Sequence, residues 1–264
     1  MALPIPDLPQ AQPFVFESRG AKALHFAIGQ IQSRMQQGDP DALDLEYTRT
    51  MMGFLLFVPD PRDIAMIGLG GGSLAKFCHR FLPAVRIEVA EINPQVIALR
   101  DEFQIPADGE RFSVLQCEGA RFMRHPPRRF DALLIDGFDA VGMPHSLGTQ
   151  RFYDDCREAL KPDGVMVVNL HLSDKRHGLL VDRMRRSFDG AVLVVDDSEQ
   201  CNSIAFACKG STFATYRPGL VSPPAGLADA PAALLLAAFA AVVEALRNAA
   251  RDRPAVQPAE SASR

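Results

Sequence analysis

The chain has 264 residues, 47% hydrophobic and 23% charged, with a net charge of −4 and a sequence pI near 5.9. That length suits one substantial core with a small appendage, and the missing basic footprint argues against a nucleic-acid partner. The five cysteines are odd in number and include no C-x-x-C pair, so neither a disulfide framework nor a zinc site is expected, and no metal. Free thiols of this kind fit a reducing, cytoplasmic setting.

Residues 1–13 carry prolines at positions 4, 6, 9 and 13 and read as an irregular arm, without the basic start of a signal peptide. Phe14–Glu17 and Ala23–Phe26 flank Ser18-Arg19-Gly20 and predict a hairpin, with a third strand over Gln30–Met35. From Asp39 to Phe57, apolar residues at 43, 47, 51, 52 and 55 predict a helix. Residues 1–58 are therefore expected to form a small β-rich lid leading into a helix.

From Arg62 the pattern alternates. Strands are expected at 63–68, 85–91, 112–117, 130–136, 163–170, 190–196 and 202–208, and helices at 73–82, 94–103, 119–124, 148–160 and 175–187. Such alternation predicts an α/β fold, a seven-stranded Rossmann-like sheet covered on both faces over residues 59–212. The short link Asp196–Cys201 makes the last two strands an antiparallel pair at the end of the sheet.

Residues 213–253 read as a proline-marked linker and an alanine-rich helix, and 254–264 as a disordered tail. The apolar run Ala232–Val243 ends at Glu244 and is too short to span a bilayer, so no membrane is expected. Being apolar nearly all round, the helix should pack on the body or on a second copy, which makes a homodimer an expectation.

The chemistry gathers at strand ends. Gly68, Gly70, Gly71 and Gly72 follow the first strand of the sheet, where glycine lets a ligand approach the backbone at a helix start. The dinucleotide pattern G-x-G-x-x-G needs glycine where this chain has Ser73, so a single adenosyl group suits the loop better. Glu91 ends the next strand at the distance of a ribose-binding acid, the reading that the glycine cluster favours over a cap for the helix that starts at Asn93-Pro94. Glu118 and Gly119 end the third strand, where the carboxylate could meet an adenine amino group or simply face water.

Asp136 ends the fourth strand and Asp139 follows in the loop. Such a pair could stabilise a sulfonium, hold a cationic amine and accept its proton; the plain alternative is a loop acid plus a helix cap. His79 is expected at the surface, whereas His145 and His171 lie where they could border the crevice.

In this order the blocks resemble the spermidine synthase (polyamine aminopropyltransferase) family, which shares the S-adenosylmethionine-dependent methyltransferase fold. The resemblance covers roughly residues 20–170. Its most specific part is Phe130-Asp-Ala-Leu-Leu-Ile-Asp-Gly-Phe-Asp139 through Leu147, then Phe152-Tyr153 and Leu160-Lys-Pro-Asp-Gly164, similar to the family's D-x-x-D-P-x-G-P-x-x-x-L, F-Y and L-x-P-G-G blocks.

The resemblance implies aminopropyl transfer from decarboxylated S-adenosylmethionine to a small-molecule amine. Asp136 and Asp139 would be the catalytic and amine-holding acids, Glu91 the ribose acid and Glu118-Gly119 the adenine pair. Gln32 would contact the cofactor, and Tyr47 the substrate; His145, by its own place in the loop after the acids, is expected at the substrate entrance. The chain departs from the family at Gly71, where the family loop has an acid, at Thr48-Arg49, where it has His-Glu, and at Ala140, where it has proline. The family's later tyrosine loop has no counterpart. These departures keep open methyl transfer from intact S-adenosylmethionine and a non-catalytic nucleoside-binding scaffold.

Overall fold

A computed structural model describes residues 11–27, 30–139, 141–197, 201–217, 227 and 229–251. Most of the expected N-terminal arm, Ala140, the linker at 218–226 and the tail at 254–264 lie outside them.

The chain begins with a three-stranded antiparallel sheet: β1 (Phe14–Ser18), β2 (Ala21–Ala27) and β3 (Gln30–Gln36). Arg19 and Gly20 both take positive φ, 40° and 82°, which gives the tight two-residue turn that matches the twist of paired strands.

The helix expected over 39–57 is shorter than the periodicity suggests. It comprises α1 (Glu46–Met51) and then a 3-10 segment, Met52–Leu56. Asp44, placed to open a helix, bonds Arg34 and Gln36 instead. At Gly53 the last helix lies so close that a Cβ would stand 2.9 Å from Val242 Cγ2.

The main sheet holds β4 (Asp63–Ile67), β5 (Arg86–Glu91), β6 (Phe112–Gln116), β7 (Phe130–Ile135), β8 (Leu160–His171), β9 (Val192–Asp196) and β10 (Asn202–Cys208) in the order β6-β5-β4-β7-β8-β10-β9. The first five strands are parallel, and β10 runs antiparallel to both β8 and β9. Thus β10 enters between β8 and β9, and β9 forms the edge. The chain starts at β4, moves outward to β6, then crosses back to β7. This reversal opens a crevice at the carboxyl ends of β4 and β7, where open α/β sheets bind ligands.

Alternate residues of each strand feed two cores. Ile64, Met66, Val165 and Val167 face one layer, and Ala65, Ile67, Met166 and Val168 the other. The first layer takes α1, α2 (Ser73–Phe81), α3 (Pro94–Ala98) and α8 (Asp229–Arg251). The second takes α4 (Gly119–Arg124), α5 (Gln150–Ala159) and α6 (His177–Ser187). A short α7 (Thr212–Thr215) follows β10.

Two helices differ from expectation. The helix forecast for 94–103 closes at Ala98, and the chain then turns back through Gln104, whose φ is +54°. The turn seats Phe103 under the glycine loop, where the buried Lys76 donates from Nζ to the Phe103 carbonyl at 2.8 Å. In α8, the 21 residues Pro231–Arg251 are long and apolar enough to cross a bilayer by length and composition, unlike the shorter run judged from sequence. That helix nevertheless buries Leu235, Phe239 and Val242 fully in the first core, each worth about 2 kcal/mol of burial, while Leu234 and Leu236 stay 39% exposed.

Candidate active site

A cleft of about 810 Å³ lies over the carboxyl ends of β4, β5, β7 and β8, bordered by β3 and α1. Its first wall is the loop after β4. Gly68 takes φ +93°, and a Cβ there would stand 2.2 Å from the carbonyl oxygen of Asp136. The loop and the end of β7 can touch only because residue 68 has no side chain. Gly68 N donates to Ala90 O and Asp136 N to Ile67 O, both at 2.9 Å, which fixes the three strand ends together.

Glu91 is buried beside this loop. Its Oε2 accepts from Leu69 N at 2.8 Å and its Oε1 from Asn93 N at 2.7 Å. Burial raises its pKa, and the backbone N–H groups oppose the rise. The cap of α3 is made by a different residue, since Asn93 Oδ1 accepts from Gln95 N at 2.9 Å. Glu91 itself lines the cleft.

Glu118 is the N-cap of α4 through Oε2, which accepts from Arg121 N at 2.8 Å. Its Oε1 is buried with no hydrogen-bond partner among the described residues. Glu118 and Gly119 both line the cleft.

On the opposite wall Asp136 sits between two neutral donors. Tyr47 Oη donates to Oδ2 at 3.1 Å and Asn169 Nδ2 to Oδ1 at 2.9 Å. Burial raises the Asp136 pKa, while Asn169, Tyr47 and His171 hold the charged form. Tyr47 in turn is pushed well up by burial and by the Asp136 charge, so it remains a phenol donor. Asp139 is exposed at the rim, and its Oδ1 accepts from Val141 N at 2.8 Å and Gly142 N at 3.0 Å, an Asx turn that shapes its own loop.

Gln32, Tyr47, Gly68, Gly70, Glu91, Glu118, Gly119, Asp136 and Asp139 thus share one cleft. Three residues singled out from sequence do not border it. Gly71 packs away from the opening, its missing Cβ lying 2.8 Å from Ser33 Oγ and 2.9 Å from Phe103 Cδ1. Gly72 begins α2 against Ile105, whose side chain leaves no room for a Cβ. His145 is exposed at the start of a 3-10 turn, His145–Gly148, in which Ser146 and the buried Leu147 line the cleft instead.

Sequence reasoning passed over Asn169, because its role depends on β8 lying beside β7. Ser33 and Ser73, with hydroxyls 3.2 Å apart across the cleft wall, were also missed. Among the described residues no group of three His, Cys, Asp or Glu side chains could hold a metal ion.

The sequence profile of the spermine/spermidine synthase domain matches residues 44–175. The polyamine aminopropyltransferase of Chromobacterium violaceum is 39% identical over 198 residues, covering 75% of this chain and 76% of that protein. The polyamine aminopropyltransferase of Neisseria meningitidis serogroup A is 37% identical over 199 residues, with 75% and 76% covered. Among solved structures, a probable spermidine synthase from Corynebacterium glutamicum superposes with TM-score 0.68 at 18% identity, over 96% of this chain and 95% of that one. Human methyltransferase-like protein 13 superposes with TM-score 0.56 at 20% identity, over 83% and 97%, so the fold is shared with methyltransferases. By profile and by relatives matched along most of their length, the chain belongs to the spermine/spermidine synthase family.

Proposed function

We propose that the protein is a polyamine aminopropyltransferase, which moves an aminopropyl group from decarboxylated S-adenosylmethionine to a small amine. The observation that carries this reading is Asp136. A part-buried carboxylate that among the described residues accepts its side-chain hydrogen bonds from a phenol and an amide and has no ion-pair partner, across a cleft from the glycine turn and Glu91, suits a cationic ligand.

The residues present fit an adenosyl donor. The buried Glu118 Oε1 would accept from an exocyclic amine, and Glu91, anchored by backbone N–H groups, keeps lone pairs for ribose hydroxyls. The donor supplies a sulfonium, whose charge makes the adjoining carbon electrophilic. Asp136 then stabilises positive charge on the attacking amine and fixes its direction, while Asp139 at the rim holds the amine by charge. Catalysis of this kind is mainly placement of charge in a part-dry site.

Incubating the protein with decarboxylated S-adenosylmethionine and a panel of di- and polyamines should release methylthioadenosine. Silence with every amine would remove the reading.

Methyl transfer from intact S-adenosylmethionine is the second reading, favoured by one observation. Gly71 stands where the family loop has an acid, and Ser33 and Phe103 leave no space for a side chain there. Calorimetry separates the two: the aminopropyltransferase reading requires tighter binding of the decarboxylated form.

A further inference from the structure

Asn93 makes three contacts at the Glu91 end of the cleft, each with a different part of the chain. Its backbone N donates to Glu91 Oε1 at 2.7 Å, and its Oδ1 accepts from Gln95 N at 2.9 Å to cap α3. Its Nδ2 donates to the carbonyl oxygen of Ala11 at 3.0 Å. The residue is 3% exposed, and Ala11, Glu91 and Asn93 all border the cleft. The cap alone does not call for asparagine, because aspartate and serine cap a helix equally well. An amide accepts at one end and donates at the other, which a carboxylate cannot do.

The segment held in this way is residues 11–13, which lead into β1. β1 is the outer strand of the small sheet, paired with β2, and its Phe14 and Phe16 are exposed. The rest of that sheet is fastened more firmly, since Leu24 on β2 and Met35 on β3 are buried in the first core. On the β1 side the ties to the main sheet are lighter. They include the Ala11–Asn93 bond, the packing of the half-buried Val15, and a part-exposed ion pair from Lys22 to Glu102 at 3.4 Å. Segments with few buried contacts open at lower cost than the core around them.

We propose that the Asn93–Ala11 bond is a latch and Asn93 a positioning residue: it draws residues 11–13 across the Glu91 end of the cleft, encloses a bound adenosyl group there, and lets go when the spent nucleoside leaves. This rests on the adenosyl-donor reading above, though not on which group the donor gives up. Closure of this kind keeps water from the reacting carbon and makes nucleoside release depend on how firmly the segment is held. One neutral hydrogen bond shifts such an equilibrium by roughly twofold to tenfold, which favours the closed form over a ligand and still lets it open.

The test compares the full-length wild type with Asn93→Ser, using methylthioadenosine as the probe. Serine keeps an oxygen to cap α3 but is too short to reach Ala11, so the urea midpoint should stay near wild type. Methylthioadenosine should leave the variant about fivefold faster and bind it about fivefold more weakly. In the wild type, added methylthioadenosine should slow hydrogen exchange at the amides of residues 11–16, and Asn93→Ser should lose most of that slowing.

Equal dissociation rates from wild type and variant overturn the inference. So does exchange at residues 11–16 that the nucleoside leaves unaltered in the wild type. If Asn93→Ser unfolds more readily, the exchange measured on the wild type decides: slowing at residues 11–16 supports the latch, and its absence overturns it. A wild type that binds no methylthioadenosine sinks the adenosyl-donor reading and this inference together, whereas one that binds it, with a variant that releases it no faster, sinks the inference alone.

Discussion

The two ends of the main sheet both gather carboxylates, but in opposite electrostatic settings. At the amino end, Lys161 bridges Asp63 and Asp131 at 2.8 Å each, and Arg128 reaches Glu88 at 3.1 Å. At the carboxyl end, the hydrogen bonds that Glu91 and Asp136 accept from the described residues come from backbone N–H groups, a phenol and an amide. Burial pushes Asp131 up, but Lys161 and the N–H groups of Arg62 and Asp63 outweigh it and hold the pKa low. For Asp136 and Glu91 burial wins, and both stand raised. At the amino end the acids are ion-paired; at the carboxyl end, where Arg34 and Arg49 also line the cleft, neither Glu91 nor Asp136 has an ion-pair partner among the described residues.

The strongest test of that contrast is Asp136→Asn. The amide keeps the shape and can still bond Asn169 and Tyr47, so the fold should survive while methylthioadenosine release falls about a thousandfold. The stability sign is also fixed. Because the folded pKa of Asp136 is raised, its ionisation costs stability as pH rises through that value. Urea unfolding of the variant should therefore show a flatter pH dependence on that side and equal or higher stability at neutral pH.

Next in size is Gly68→Ala. The strained φ and the 2.2 Å approach to the Asp136 carbonyl should cost about 3 kcal/mol in denaturant unfolding, with the cleft loop displaced. Retention of wild-type stability would show that the loop and β7 do not meet as described.

Tyr47→Phe removes one of the two donors to Asp136. The carboxyl pKa should climb further, and turnover should drop about tenfold with the Asp136-dependent acid limb moved to higher pH. A pH–rate profile checks both.

The smallest effect belongs to the other end. Lys161→Met should cost about 1–2 kcal/mol and leave kcat and KM unchanged, since the bridge is part-exposed and remote from the cleft. Asp131 has a lowered folded pKa, so its contribution is present above the unfolded value and lost as pH falls through the folded one. The variant should lose that acid-side dependence, opposite in sign to Asp136→Asn.

Much of this was legible in the chain. Strands 63–67, 112–116 and 202–208 lie within the segments expected from the sequence, because short apolar runs buried in a sheet are a local signal. The glycine cluster, Glu91 and Asp136 were visible because strand ends in a parallel sheet point to one side. Asn169 was not legible as a site residue in the same way: its partner, Asp136, lies 33 positions away in sequence. Nor could spacing show that Gly71 and Gly72 serve packing, since Phe103 and Ile105 come back to them through a turn that helical periodicity hides.

The order of residues along the chain, then, determined the layers, the crevice end and the acids at the strand tips, since hydrophobic period and glycine placement are local. Which acids lack a counter-ion, which hydroxyl and amide hold Asp136, and which histidine faces the cleft were decided only by tertiary structure. Hydrogen bonding and desolvation depend on neighbours that strand order, not sequence distance, brings together.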